Sequence, residues 1–72
     1  MEENKRYVEL SLAIAQHVII GMMKKGWDAD KLAEEAKITK LEVFKWVTGL
    51  KRFRLSELSL MEVTLEIKIL NL

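Results

Sequence analysis

The sequence predicts a single all-helical domain, and three of its features support this. The 72 residues include no proline and only three glycines, so few positions would interrupt a helix. Apolar side chains recur at three- and four-residue steps, which is the period of an amphipathic helix. Half of the residues are hydrophobic, a proportion too high for a disordered tail. A chain this short has a thin core, and self-association is a common source of additional stability.

The first predicted helix covers residues 3–25 and is apolar over an unusually wide arc. Such an arc is explained either by insertion among several helices or by a dimer interface, and the short chain favours the interface. We expect Val8 and Leu12 to contribute to it. The arc consists of two neighbouring stripes, which are Tyr7, Leu10, Ile14, Val18 and Met22, and then Val8, Leu12, Ala15, Ile19 and Met23.

Two shorter helices are predicted within residues 28–48. Gly26 is suited to end the first helix, and Asp28 and Thr39 are side chains that cap helix N-termini. Gly49 is placed where the third helix should stop. The expected order is therefore helix, tight turn and helix, with the turn near Ile38.

The C-terminal part predicts a helix over residues 55–64 and then a short strand over residues 66–70. Here apolar residues alternate with polar ones, which is the pattern of a half-buried strand. One strand is not stable alone, so it would pair across a two-fold axis or with another chain. The strand residues expected at a homodimer interface are Ile67, Lys68, Ile69 and Leu70.

Positive charge is concentrated in the middle of the chain. The whole chain has a net charge of +1, yet residues 37–54 hold six basic residues and a single acid, Glu42. This distribution suggests a face for an anionic partner, although an ordinary solvated surface would look the same. The six basic residues are Lys37, Lys40, Lys45, Lys51, Arg52 and Arg54.

One ordered pattern carries most of the functional interpretation. The segment Leu32-Ala33-x-x-Ala36-x-Ile38-Thr39-x-x-x-Val43-x-x-Trp46 has the spacing of a helix-turn-helix. With its flanks, from about Met22 to Leu65, it resembles the lambda-repressor-like, XRE-type helix-turn-helix family. The Lys45-Trp46 pair, Gly49 and the run Phe53-x-Leu55-x-x-Leu58 are similar to a subgroup of small antitoxins and regulators.

The resemblance implies a fold and a function. The fold would be a bundle of four to five helices followed by a short strand. The function would be sequence-specific binding of double-stranded DNA by a homodimeric transcriptional regulator on a near-palindromic operator. The helix after Thr39 would read bases, and the basic loop after Gly49 would contact phosphates. The implied DNA-binding residues are Thr39, Lys40, Leu41, Glu42, Lys45, Lys51, Arg52 and Arg54.

The chain departs from the family pattern at a few positions. Lys37 occupies the turn position where the family prefers glycine, and Phe44 occupies a position that is usually small and polar. Leu41, Phe44 and Leu50 could instead form a protein-binding patch. The alternative is therefore an antitoxin-like module that neutralises a toxin-like protein partner, with weak or vestigial DNA binding.

No residue pattern predicts an enzyme, a cofactor or a metal. His17 is the only histidine and cysteine is absent, so a structural role for His17 is expected rather than metal binding. No serine has a base at a meaningful spacing, and there is no glycine-rich phosphate loop. The longest apolar run is too short to cross a bilayer and does not resemble a signal peptide. The expected location is the cytoplasm.

Overall fold

The computed structural model describes the backbone of residues 2–69 and the side chains of residues 9–69. Within this part the chain is all-helical, as predicted. The four helices are α1 (Glu2–Lys25), α2 (Ala29–Ala36), α3 (Lys40–Thr48) and α4 (Leu55–Leu65). α1 and α4 each differ from the predicted ranges 3–25 and 55–64 by one residue at one end, and α2 and α3 lie within the predicted range 28–48.

Local side-chain chemistry explains where α2 and α3 begin. The Asp28 carboxylate accepts a hydrogen bond from the Lys31 N–H at 2.8 Å, and the Thr39 hydroxyl accepts one from the Glu42 N–H at 3.1 Å. Each bond satisfies a backbone donor that the first helical turn leaves without a partner. Gly49 ends α3 at a φ of 76°, a conformation that glycine adopts without steric cost.

The core lies where α1 and α2 each pack against α3 and α4. α1 contributes Ile14, Ala15 and Val18, which lie on one helical face. Gly21, on the same face, has no side chain, and a Cβ there would lie 3.0 Å from Ile67 Cγ2. This glycine therefore allows the chain after α4 to pack closely on α1. The other helices contribute Leu32, Ala36, Val43, Trp46, Leu58, Met61 and Leu65.

Most of the second apolar stripe of α1 remains exposed. Ala15 is buried, but Leu12, Ile19 and Met23 lie at the surface. Leu12 lies beside the end of α3, where its Cδ2 is 2.7 Å from the Cβ position of Gly49. The side chains of Tyr7 and Val8, which the sequence also placed in the stripes, lie outside the described residues.

The predicted strand over residues 66–70 is not formed in the described part of the chain. α4 ends at Leu65. Its C-cap Glu66 is left-handed with a φ of 56°, and residues 67–69 have no regular secondary structure. The Ile69 N–H donates to the Glu62 carboxylate at 2.6 Å, and the Ile69 side chain is only 3% exposed. The tail thus folds back onto the core of its own subunit. Leu70 lies outside the described residues.

Among the described residues, no helix combines the length and the apolar character that a membrane crossing requires.

Candidate nucleic-acid interface

A three-residue turn fixes α3 against α2. Lys37 is left-handed, with a φ of 57°, and the Ile38 N–H donates to the Ala33 carbonyl at 3.0 Å. Leu32 and Val43 are fully buried where the two helices pack. The orientation of α3 is therefore set both by hydrogen bonds in the turn and by packing beneath it.

The outward face of α3 combines apolar and basic side chains. It lies opposite the buried Val43 and Trp46. Leu41 and Phe44 are exposed, and the side chains of Lys40 and Lys45 are about half exposed. The Lys40 ammonium lies 5.9 Å from the centre of the Phe44 ring. We call this surface the α3 outer face, and it contains Lys40, Leu41, Phe44, Lys45 and Thr48.

Both lysines of the α3 outer face form ion pairs at the surface. Lys40 Nζ lies 3.2 Å from an Asp30 carboxylate oxygen, and Lys45 Nζ lies 3.7 Å from a Glu42 oxygen. Pairs between exposed side chains contribute little stability and are screened by salt. A polyanion could therefore displace the carboxylates without unfolding the protein.

Lys51 is placed differently from the sequence prediction. Its side chain is only 14% exposed, and its Nζ lies 2.6 Å from Glu42 and 2.7 Å from Glu57. The hydrogen bond from Lys51 holds the pKa of Glu42 below its ordinary value, and it does the same for the pKa of Glu57. Hydrogen bonds to Glu42 and Glu57 raise the pKa of Lys51 in turn. Lys51 and Glu42, both predicted to contact DNA, belong to an ion cluster that joins α3 to α4 through Glu57.

The remaining predicted contacts lie at the edge of the α3 outer face. Arg52 and Arg54 are exposed in the loop that follows α3. Phe53 anchors this loop, since its ring stacks on Trp46 with centroids 6.4 Å apart. The Thr39 hydroxyl caps α3 as an acceptor, which leaves its own proton available for donation.

The described residues among those predicted for a dimer interface lie on α1 and on the tail that follows α4. Leu12 is exposed on α1, Ile67 is partly buried and Lys68 is exposed on the tail. Ile69 packs into its own subunit, so its side chain has almost no surface to offer a partner. The Val8 side chain and Leu70 lie outside the described part of the chain.

A groove of about 550 Å³ lies between the end of α1 and the tail. Its walls include His17, Ile20, Lys24 and Lys68. His17 is half-buried there, on the side of α1 that faces the tail. Among the described residues, no three His, Cys, Asp or Glu side chains cluster closely enough to hold a metal ion.

Comparisons of this chain with protein-family models, with curated proteins and with solved structures found no match.

Proposed function

We propose that this protein is a helix-turn-helix regulator that binds double-stranded DNA as a homodimer, with α3 as the helix that reads the bases. The observation that carries the proposal is the α3 outer face. It presents two accessible lysines from a short helix whose start, turn and inner side are all fixed. A helix that enters the major groove needs this combination of rigid support and outward donors.

The contacts can be assigned by chemistry. Lys40 and Lys45 would donate to guanine O6 and N7 or to phosphates, and Leu41 would contact a thymine methyl group. Arg52 and Arg54 would bind phosphates beside the groove. These contacts position the protein and make its affinity depend on salt.

Lys51 and Glu42 have a supporting role in this proposal. The ion pairs of Lys51 hold the start of α4 and the side of α3 together beneath the arginine loop. In this assignment the Glu42 carboxylate is paired with Lys51 at 2.6 Å, which offsets the repulsion that a free carboxylate would exert on phosphates. It also leaves the charge of the DNA-binding surface to Lys40, Lys45, Arg52 and Arg54.

The first prediction tests the two lysines of the α3 outer face. A bound duplex would be selected from a random library and labelled, and its affinity would be measured at several salt concentrations. The double variant Lys40→Ala with Lys45→Ala should bind more weakly, and its salt slope should be smaller by about two, one for each lost phosphate contact. Circular dichroism would verify that the variant remains helical.

The matched control is Lys24→Ala with Lys68→Ala, which removes the same charge from the groove at the end of α1. This control should retain the salt slope of the unmodified protein, with only a small loss of affinity from its lower net charge. Equal losses in the two double variants would show only a nonspecific charge effect. Salt-independent binding, or no selected sequence at all, would contradict the proposal.

A second candidate function is supported by the apolar part of the same region. Leu41 and Leu50 are exposed on or beside the α3 outer face. If this protein is an antitoxin-like module, both side chains could contact its protein partner. In that case a defined partner should co-purify in a fixed ratio and be lost in the variant Leu41→Ser with Leu50→Ser. DNA binding would then be weak for every duplex.

A further inference from the structure

α4 is apolar on both of its sides, although only one side is covered by its own subunit. Leu58, Met61 and Leu65 point into the core. On the opposite side, Leu55 is 68% exposed and Val63 is 78% exposed. A helix that is hydrophobic all round normally has both sides buried. The exposed residues form what we call the α4 outer face, which contains Leu55, Ser56, Ser59, Leu60 and Val63.

No charged side chain belongs to the α4 outer face, and the two acids of α4 are held at its flanks. Glu57 accepts a hydrogen bond from the Arg54 N–H at 3.0 Å and pairs with Lys51. Glu62 accepts one from the Ile69 N–H at 2.6 Å. Because both carboxylates are engaged within the subunit, little repulsion opposes the approach of a second apolar surface.

The spacing of the α4 outer face is symmetric about Ser59. Leu55 and Val63 lie four residues before and four residues after it, so all three share one stripe of the helix. Two copies packed antiparallel about a two-fold axis through Ser59 would place Leu55 of one copy against Val63 of the other. A two-fold interface requires this self-complementarity. The small serine at the centre lets the helices approach to about 8 Å, the closer end of helix packing distances.

The exposed stripe of α1 is less suited to pairing with itself. It contains Leu12, Gln16, Ile19 and Met23, and its centre lies between Gln16 and Ile19. Antiparallel pairing about that centre would place the Gln16 amide against Ile19 of the second copy. Covering an amide with an apolar side chain is unfavourable.

We propose that the α4 outer face is a homodimer interface whose two-fold axis passes beside Ser59 of both copies. This inference rests on the proposed function in one respect, the expectation that the protein is a homodimer. Its test uses no DNA. α4 is about 16 Å long, so its exposed face is smaller than the ~800 Å² per partner of a standard interface. We therefore expect a weak dimer with a dissociation constant on the order of micromolar, because small interfaces are typical of weak, transient complexes.

The chain has no cysteine, so single-cysteine variants test the axis directly. Ser59→Cys places one thiol at the proposed axis, where two copies bring their Cα atoms within the ~7 Å that a disulfide allows. The control Gln16→Cys places a thiol near the centre of the exposed α1 stripe. Under mild oxidation at about 10 µM protein, Ser59→Cys should form a covalent dimer on the order of a hundredfold faster, because the interface raises the local thiol concentration to the millimolar range.

Charge substitutions at exposed positions distinguish crosslinking through the proposed interface from crosslinking through random collisions. In the Ser59→Cys background, Val63→Arg should abolish rapid crosslinking, whereas Met23→Arg on α1 should leave it intact. Both substituted side chains are largely exposed, so circular dichroism should show an unchanged fold. The proposal is overturned if Gln16→Cys crosslinks as fast as Ser59→Cys, or if Val63→Arg has no effect. Sedimentation showing only monomer at 100-fold higher concentration would also overturn it, while DNA binding would remain open.

Discussion

At the scale of single residues, the backbone conformation of Lys37, in the turn between α2 and α3, is energetically unfavourable for a residue with a Cβ. Its φ of 57° and ψ of 44° are left-handed, where a side chain with a Cβ is disfavoured by about 1–2 kcal/mol relative to right-handed backbone. The side chain itself is exposed. The surrounding packing and hydrogen bonds thus hold Lys37 in this conformation despite its cost.

This strain yields a prediction about stability. Lys37→Gly should raise the free energy of unfolding by about 0.5–1 kcal/mol, because glycine adopts the left-handed conformation without the Cβ penalty. Urea denaturation would measure the change. The comparison variant is Gly49→Ala, since Gly49 has a φ of 76° and its Cβ position lies 2.7 Å from Leu12 Cδ2. That variant should be destabilised by at least about 1 kcal/mol. A destabilised Lys37→Gly protein would show that the lysine side chain stabilises the turn.

At the scale of elements, the Glu42–Lys51–Glu57 cluster links α3 and α4 through charge. Both glutamates have a pKa lowered by the hydrogen bond from Lys51. Their contribution to stability is therefore present above the unfolded carboxyl pKa of about 4.3 and is lost as the pH falls through their lower folded values. The pKa of Lys51 is raised, so its contribution is complete below about 10.4 and is lost as the pH rises through the higher folded value.

The cluster predicts how a single substitution changes the pH dependence of stability. At pH 7, Lys51→Met should lower the free energy of unfolding by about 1–3 kcal/mol, because it leaves two adjacent carboxylates without their shared donor. Below pH 4 the difference from the unmodified protein should shrink as the carboxyls become protonated. Lys31→Met is the control, since the Lys31–Glu35 pair lies on an exposed helix surface. A pH-independent difference for Lys51→Met would assign its effect to packing alone.

The helix ends were predictable from the sequence, whereas the ion cluster was not. Asp28, Thr39 and Gly49 act within four residues of their own position, so their local chemistry determines where α2 and α3 begin or end. Lys51 has partners on two different helices, six and nine residues away. Its role depends on how α3 and α4 are placed in space, which no local pattern encodes.

The predicted strand failed for a related reason. The alternation of Val63, Leu65, Ile67 and Ile69 suited a strand, but the first two residues belong to the helical period of α4. After the left-handed Glu66, the tail buries Ile69 and pairs its backbone with Glu62. Leu65 and Ile69, two of the apolar residues that a strand would require, are thus buried in the core of one subunit, and the described part of the chain contains no second strand.

At the scale of the whole molecule, exposed apolar surface is large for so short a chain. Leu12, Met23, Leu55 and Val63 are all at the surface, on two different helices. A 72-residue domain buries only about 60% of the surface of its unfolded chain. In the proposed homodimer, covering one of these surfaces would stabilise the folded subunit, so that folding and association would be coupled.

Coupled folding and association predict that the melting temperature depends on protein concentration. Raising the concentration a hundredfold should raise the melting temperature by several degrees, because each tenfold step adds up to about 1.4 kcal/mol per dimer and about 1 kcal/mol moves the melting point of such a domain by 4–8 °C. Val63→Arg should melt at a temperature independent of concentration, since arginine on the α4 outer face would be desolvated on association. Met23→Arg adds the same charge on α1 and should retain the dependence. If Met23→Arg removes the dependence and Val63→Arg retains it, the stabilising interface is on α1, and the two-fold axis beside Ser59 is wrong.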